Sequence, residues 1–396
     1  MKRIFITGLA LLGFLRAYSQ SEKTADTTGY KSKKLKIEEI NLVSSYYGQN
    51  GNNAAVTGGR GSEELTDISN AIDVNLVKYG ENGIKHSFNA EIGVDHYSSA
   101  SSDRIDLQAN SSASSADTRV YPSLNYIREN EEKGSAFGIG LSSSTEYDYQ
   151  SFGGTVSYAQ KTKDRNGEFT AKFQAYLDQV KMIAPIELRN DPNTKSSGNS
   201  ARNTFLGSVS YSQVINTNFQ VLFQADVVAQ QGYLALPFHR VYFTDGSVHQ
   251  EKLPESRLKI PLAVRGSYFL GDNVIIRGYY RFYTDDWGIT SHTANIEVPV
   301  KISPFFSVSP FYRYYTQTAT KYFDGYQMHN ALDEFYTSNY DLSSFNSSFV
   351  GLGFHIAPVN GLFGVERLTM LEVRYGHYTR STNLDSDIIS INIKFK

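Results

Sequence analysis

The sequence predicts an all-β protein, a transmembrane antiparallel up-and-down β-barrel of about sixteen strands. Three observations predict it. Apolar and polar residues alternate with a period of two through many segments, the connections between those segments sort into short and long, and aromatic residues abound while mean hydropathy stays negative. The 28 tyrosines and 24 phenylalanines suit a wall in which alternate side chains meet lipid and aromatic rings mark its two interfaces.

Taken in order, Lys2 and Arg3 precede a mostly apolar run from Ile4 to Leu15, and small Ala17 and Ser19 stand before Gln20. That is the pattern of an export signal, so 1–19 is expected to be removed, 20–36 to form a periplasmic tail and 37–396 to form the barrel. The chain contains no cysteine, which leaves no site for a lipid-modified cysteine, a disulfide or thiolate chemistry. A formal charge of −2 gives no field that would draw nucleic acid, so outer-membrane lipid is the expected partner and nucleic acid is not.

Candidate strands fall near 37–47, 68–79, 84–97, 120–128, 135–147, 152–161, 169–181, 203–216, 219–229, 258–269, 274–285, 293–302, 306–316, 347–357, 368–380 and 388–396. The third is the clearest. Ile84, His86, Phe88, Ala90, Ile92 and Val94 alternate with Lys85, Ser87, Asn89, Glu91 and Asp95, giving one greasy face and one wet face. Phe169 to Asp178, Phe219 to Val227 and Val274 to Tyr283 repeat the pattern, and the last strand sets Ile389, Ile391, Ile393 and Phe395 against Ser390, Asn392 and Lys394. That ending resembles the terminal assembly signal of outer-membrane barrels, with Lys396 placed after the aromatic.

After even-numbered strands the connections are brief, as at 80–83, 216–218 and 271–273. After odd-numbered strands most are long, as at 48–67, 98–119, 182–202, 230–257 and 317–346. Outer-membrane barrels turn briefly at the periplasm and loop outside, so an outer-membrane location with periplasmic termini is expected. Ile37, Glu38, Glu39 and Ile40 break the alternation of the first strand, which leaves open fourteen strands with an N-terminal segment in the lumen. Tyr79, Tyr97, Tyr121, Tyr147, Tyr158, Tyr268, Trp287, Tyr314 and Tyr378 sit near strand ends, as interfacial girdles would.

No G-x-S-x-G, H-E-x-x-H or phosphate-cradling loop occurs, and His96 beside Ser98 and Ser99 is a chance pairing. The eight histidines, among them His86, His239, His292 and His355, lack ligand spacing. No catalytic residue, metal or cofactor is therefore expected. On the wet faces of late strands stand Arg265, Arg277, Arg281, Arg313 and Arg374, with Glu297 and Glu372 beside them. These residues suit either an anion-selective strip or a cross-strand ionic ladder filling a narrow lumen. Gly51 to Leu65 carries a second candidate, Val56-Thr57-Gly58-Gly59-Arg60-Gly61, whose glycines admit backbone shapes suited to a constriction or to ligand binding through amides. A free surface loop is the plainer alternative.

Ala55-Val56-Thr57-Gly58-Gly59-Arg60-Gly61 with Glu64-Leu65, then Asp95, Ser98-Ser99-Ala100-Ser101 and Ser144-Thr145-Glu146-Tyr147-Asp148-Tyr149, resembles an uncharacterised outer-membrane family of Bacteroidota-type bacteria. Relatives in that family often carry Gly at the place of Ser99 and Pro at that of Ser102. The resemblance implies no catalytic residue. It implies genomic company with a small lipoprotein, a thioredoxin-like periplasmic protein and an enzyme that attaches flavin, hence an envelope redox module. The leading expectation is a non-enzymatic, porin-like passive channel; the alternative is a closed barrel that docks periplasmic or surface partners, with the glycine-rich segment as docking element.

Overall fold

The computed structural model of the chain describes residues 34–80, 83–98, 116–192 and 194–396. The export signal, most of the periplasmic tail and the Ser99 to Ser102 stretch lie outside the described residues. Strands β1 (Lys36–Gly51), β2 (Leu65–Tyr79), β3 (Ile84–Ser98), β4 (Ala116–Asn130), β5 (Ser135–Thr145), β6 (Tyr149–Lys161), β7 (Gly167–Lys181), β8 (Asn199–Asn216) and β9 (Phe219–Gly232) build the first part of the wall. A short hairpin, β10 (Arg240–Tyr242) and β11 (Val248–Gln250), interrupts it. The wall resumes with β12 (Ser256–Leu270), β13 (Val274–Asp285), β14 (Thr290–Glu297), β15 (Val300–Ser303), β16 (Phe306–Gln317), β17 (Phe345–Ile356), β18 (Leu368–Arg380) and β19 (Leu384–Phe395).

Each wall strand pairs antiparallel with its neighbours, and the ends meet: β1 runs beside β19 from Ile40 opposite Phe395 to Gly51 opposite Leu384. β9 meets β12 across the hairpin insertion, so no edge is left free. The sheet's 17 segments make 16 barrel strands, because β14 and β15 share one lane between β13 and β16. Pro299 lies in the break, where it cannot donate to the ladder.

β1 belongs to the wall, so the fourteen-strand alternative with a luminal N-terminal segment is wrong. The alternation fails at Glu38 and Glu39 because the β1–β2 register shifts between Ile37 and Glu39, a bulge that absorbs one residue. The other strands stand where the period of two places them. Several run further toward the long loops, β4 starting at Ala116 and β9 ending at Gly232.

Outward, large apolar side chains such as Leu141, Phe152, Phe173, Leu177, Phe223 and Ile389 are exposed. Inward, polar ladders such as Asn41–Asp73–Asn89 and Thr155–Gln174–Tyr176 satisfy one another. A greasy exterior on a closed, fully hydrogen-bonded wall is the architecture of a membrane-spanning barrel. The connections 52–64, 182–198, 233–255 and 318–344 share one rim, and the turns 131–134, 162–166, 217–218, 271–273 and 304–305 share the other. On the short-turn rim, 357–367 is the longest connection.

The girdle reading needs correction at five positions, one being Tyr79, whose register opposite Lys85 puts it on the polar face. Trp287 is 3 % exposed and donates its indole N–H to the Ser256 carbonyl at 2.9 Å, so it packs inside the protein. Tyr97 and Tyr121 bond Glu146 and Asp95 from the polar face, and Tyr378 lines an interior cavity. Their inward register outweighs their position near strand ends. Tyr158, Tyr268 and Tyr314 do stand exposed on the outward face.

Candidate functional site

The inward register of β12, β13, β14 and β16 brings Arg265, Arg277, Arg281, Glu297 and Arg313 around one cavity of about 860 Å3, with Tyr279, Tyr315 and Tyr378. A neighbouring hollow of about 310 Å3 is lined by Glu297, Arg313, Arg374, Phe311 and Phe349. Both lie within the barrel. Arg374 on β18 reaches Glu297 on β14 at 3.0 Å, past the lanes of β16 and β17, a contact made across the interior.

The charges do not cancel. Glu297 takes Arg374 and, at 3.6 Å, Arg277, while Glu372 takes Arg374 at 3.1 Å. That part is the ionic ladder that the sequence allows. Arg265, Arg281 and Arg313 have no carboxylate partner among the described residues. Arg265 lies over the Tyr279 ring at 5.7 Å, Arg313 over Phe349 at 5.5 Å, and the buried Arg281 Nε makes no hydrogen bond. Aromatic faces attract guanidinium without neutralising it. Five arginines against two glutamates leave a basic strip along one side of the lumen. On the earlier strands, Asp95 is met by Arg119, Ser69 and Tyr121, Asp178 by Tyr149, and Asp226 by Gln224.

Above the strip, the long loops fold into a packed cap that strand alternation gave no means of foreseeing. Its core is Ala235, Leu253 and Trp287, with Tyr233, Leu234, Tyr322 and Leu342 packed against it. Arg240, 6 % exposed, ties three loops: Nη1 donates to the Val56 carbonyl at 2.7 Å, and its other nitrogens hold Glu187. Glu251 is also buried. Its carboxylate accepts from the Leu236 amide at 2.7 Å and from the Thr337 hydroxyl, and His239 Nδ1 stands 3.6 Å away. Burial pushes the Glu251 carboxyl up, but His239 and these hydrogen bonds outweigh it and hold it below the ordinary carboxylate value. Burial, with the Glu251 carboxylate nearby, pushes the Tyr233 phenol up against the opposing pull of Arg202.

The glycine-rich segment is part of this cap and not a free surface loop. Ala55–Thr57 makes one 3-10 turn, Val56 and Thr57 are buried, and Gly58 and Gly59 follow at φ 79° and 84°. Both glycines are required twice over. A Cβ at Gly58 would stand 2.5 Å from the Tyr242 ring, and one at Gly59 would stand 2.9 Å from the Ser338 carbonyl, in a backbone region that disfavours side chains. Arg60 lies over Tyr326 at 4.7 Å, and Gly61 lines with it a surface hollow of about 490 Å3.

The profile of a family described as a protein of unknown function, DUF3570, matches residues 2–385. No curated protein matches the chain. Among solved structures, a BenF-like porin from Pseudomonas fluorescens Pf-5 is similar at 7 % identity and a TM-score of 0.43, over 90 % of this chain and 98 % of that one. OccD3 (OpdP) from Pseudomonas aeruginosa is similar at 8 % identity and a TM-score of 0.43, over 92 % and 93 %. OccAB1 from Acinetobacter baumannii is similar at 10 % identity and a TM-score of 0.42, over 90 % and 95 %.

Proposed function

We propose that this chain, which belongs to the DUF3570 family of proteins of unknown function, works as a non-enzymatic outer-membrane conduit that prefers small anions. The observation that carries this reading is the lumen cavity whose Arg265, Arg281 and Arg313 have no acidic partner among the described residues. Fixed cations in a walled, low-dielectric passage lower the energy of a passing anion and raise that of a cation. The flanking rings of Tyr279, Tyr315 and Phe349 favour solutes with a planar apolar part beside the charge. The long loops face outside and both termini face the periplasm, so the packed cap guards the outer mouth.

Planar bilayers test this. The folded protein is expected to give conductance steps with a reversal potential favouring anions, and Arg277→Glu with Arg281→Glu is expected to move that potential toward cations. Well-folded protein that stays silent in the bilayer sinks the conduit.

One observation favours a second reading, a barrel that docks a periplasmic partner. The 357–367 connection on the short-turn rim holds Val359 and Phe363 82 % and 88 % exposed, where solvent-facing turns are ordinarily polar. A small lipoprotein or a periplasmic redox protein, the company that the family resemblance implies, fits that rim better than the buried glycine-rich segment does. Photocrosslinking from Phe363 in whole cells would capture such a partner, and capture of none would remove this reading.

A further inference from the structure

The β16–β17 connection folds its middle back against the β10–β11 hairpin, where the Thr244 amide donates to the His329 carbonyl at 3.0 Å. His329 is 1 % exposed there. Its Nε2 lies 3.2 Å from the Thr337 carbonyl and 3.3 Å from the Ser338 hydroxyl. A carbonyl can only accept, so Nε2 carries the ring proton and Nδ1 presents a lone pair. Neither of the two contacts above is made by that lone pair. Its polar neighbour is Asp333 Oδ2 at 3.8 Å, itself an acceptor, and one donor atom each of Asp324, His329 and Asp333 lie within 4.8 Å of one another.

Acceptors that converge on one small volume repel unless a cation stands between them. Lysine and arginine do not supply it, because neither Asp324 nor Asp333 pairs with one among the described residues. Asp333 Oδ2 takes only the Asn330 amide, at 2.9 Å, as a hydrogen-bond donor. A single metal ion held at about 2.0–2.5 Å from each ligand requires donors no more than about 4–5 Å apart, which these are. The arrangement behind the ring fits as well. A ligating imidazole ordinarily donates its other N–H to a carbonyl or carboxylate that fixes its tautomer, as the Thr337 carbonyl does here.

We infer that Asp324, His329 and Asp333 form a binding site for a divalent first-row transition ion of the Zn2+ class. The imidazole selects against Mg2+ and Ca2+, whose preferred ligands are all oxygen. Both carboxylates are solvent-accessible, so water completes the coordination. The ion fastens the 330–333 turn to the edge at Asp324 and, through His329, to the β10–β11 hairpin. It acts as a clasp on the cap, outside the lumen, so it stands or falls independently of whether the barrel conducts.

Co2+ titration of the folded full-length protein in detergent tests the clasp by visible absorption. The expected result is a d–d band that saturates at one equivalent, is abolished by Zn2+ and persists in excess Mg2+. Asp324→Asn and Asp333→Asn alter only exposed carboxylates, and each is expected to weaken Co2+ binding about tenfold or more while the barrel keeps its heat-modifiable mobility. A band that never saturates, one that Mg2+ removes as readily as Zn2+, or one unchanged in the double variant overturns the assignment.

Discussion

Glu251 shows how much of the cap rests on single side chains. Its carboxylate lies almost without solvent between the Leu236 amide, the Thr337 hydroxyl and His239. Because folding lowers its pKa below the value near 4.5 that it has when free, the unfolded loop binds the proton more tightly than the folded one. The stability it contributes is therefore complete above that value and is lost as pH falls through the lower, folded one. Amide exchange in 233–255 is expected to accelerate in that acidic window, and Glu251→Gln, which cannot titrate, is expected to remove the acid step; an unchanged step would show that another group controls it. Arg240 is the second such residue. With Val56 and Glu187 it joins three loops distant in sequence, and no local pattern distinguishes it from any exposed arginine. Asp324, His329 and Asp333 were hidden for a related reason: one histidine among carboxylates gives no repeated spacing, and the fold-back that brings them together belongs to the loop.

At the scale of strands, far more was legible. The period of two follows from pleating, and lipid on one side with water on the other forces it on every spanning segment, so Ile84 to Val94 and Phe169 to Leu177 disclose their own faces. Where the pattern failed, at Glu38 and Glu39, a bulge had consumed one residue and kept β1 in the wall. The wet-face arginines were legible for the same reason, but which of them glutamates would neutralise was not, since pairing across the lumen depends on three-dimensional reach. Trp287 was misread because position near a strand end does not tell an outward ring from one turned under the loops. Face and depth together yield a quantitative expectation. Leu141, 70 % exposed at the outward face of β5, should cost about 2–4 kcal/mol when replaced by Arg, whereas Gln174→Arg on the polar face should cost little. Folding equilibria in lipid vesicles measure both, and equal costs would contradict the assignment of faces.

The whole molecule joins two bodies of different physics, a wall whose backbone bonds close on themselves and a cap held by side chains. The wall has no edge from which to fray, since β1 and β19 complete the ring. The cap has an apolar core of its own, so it can loosen while the ring persists. Trp287 is the chain's sole tryptophan, and it stands in that core against Tyr322 at 5.8 Å. Light at the red edge of the ultraviolet excites indole and passes over tyrosine, so emission from this protein monitors the mouth and is blind to the staves beneath it. A red shift in acid, before any loss of far-ultraviolet circular dichroism, would register the lid lifting from an intact cylinder.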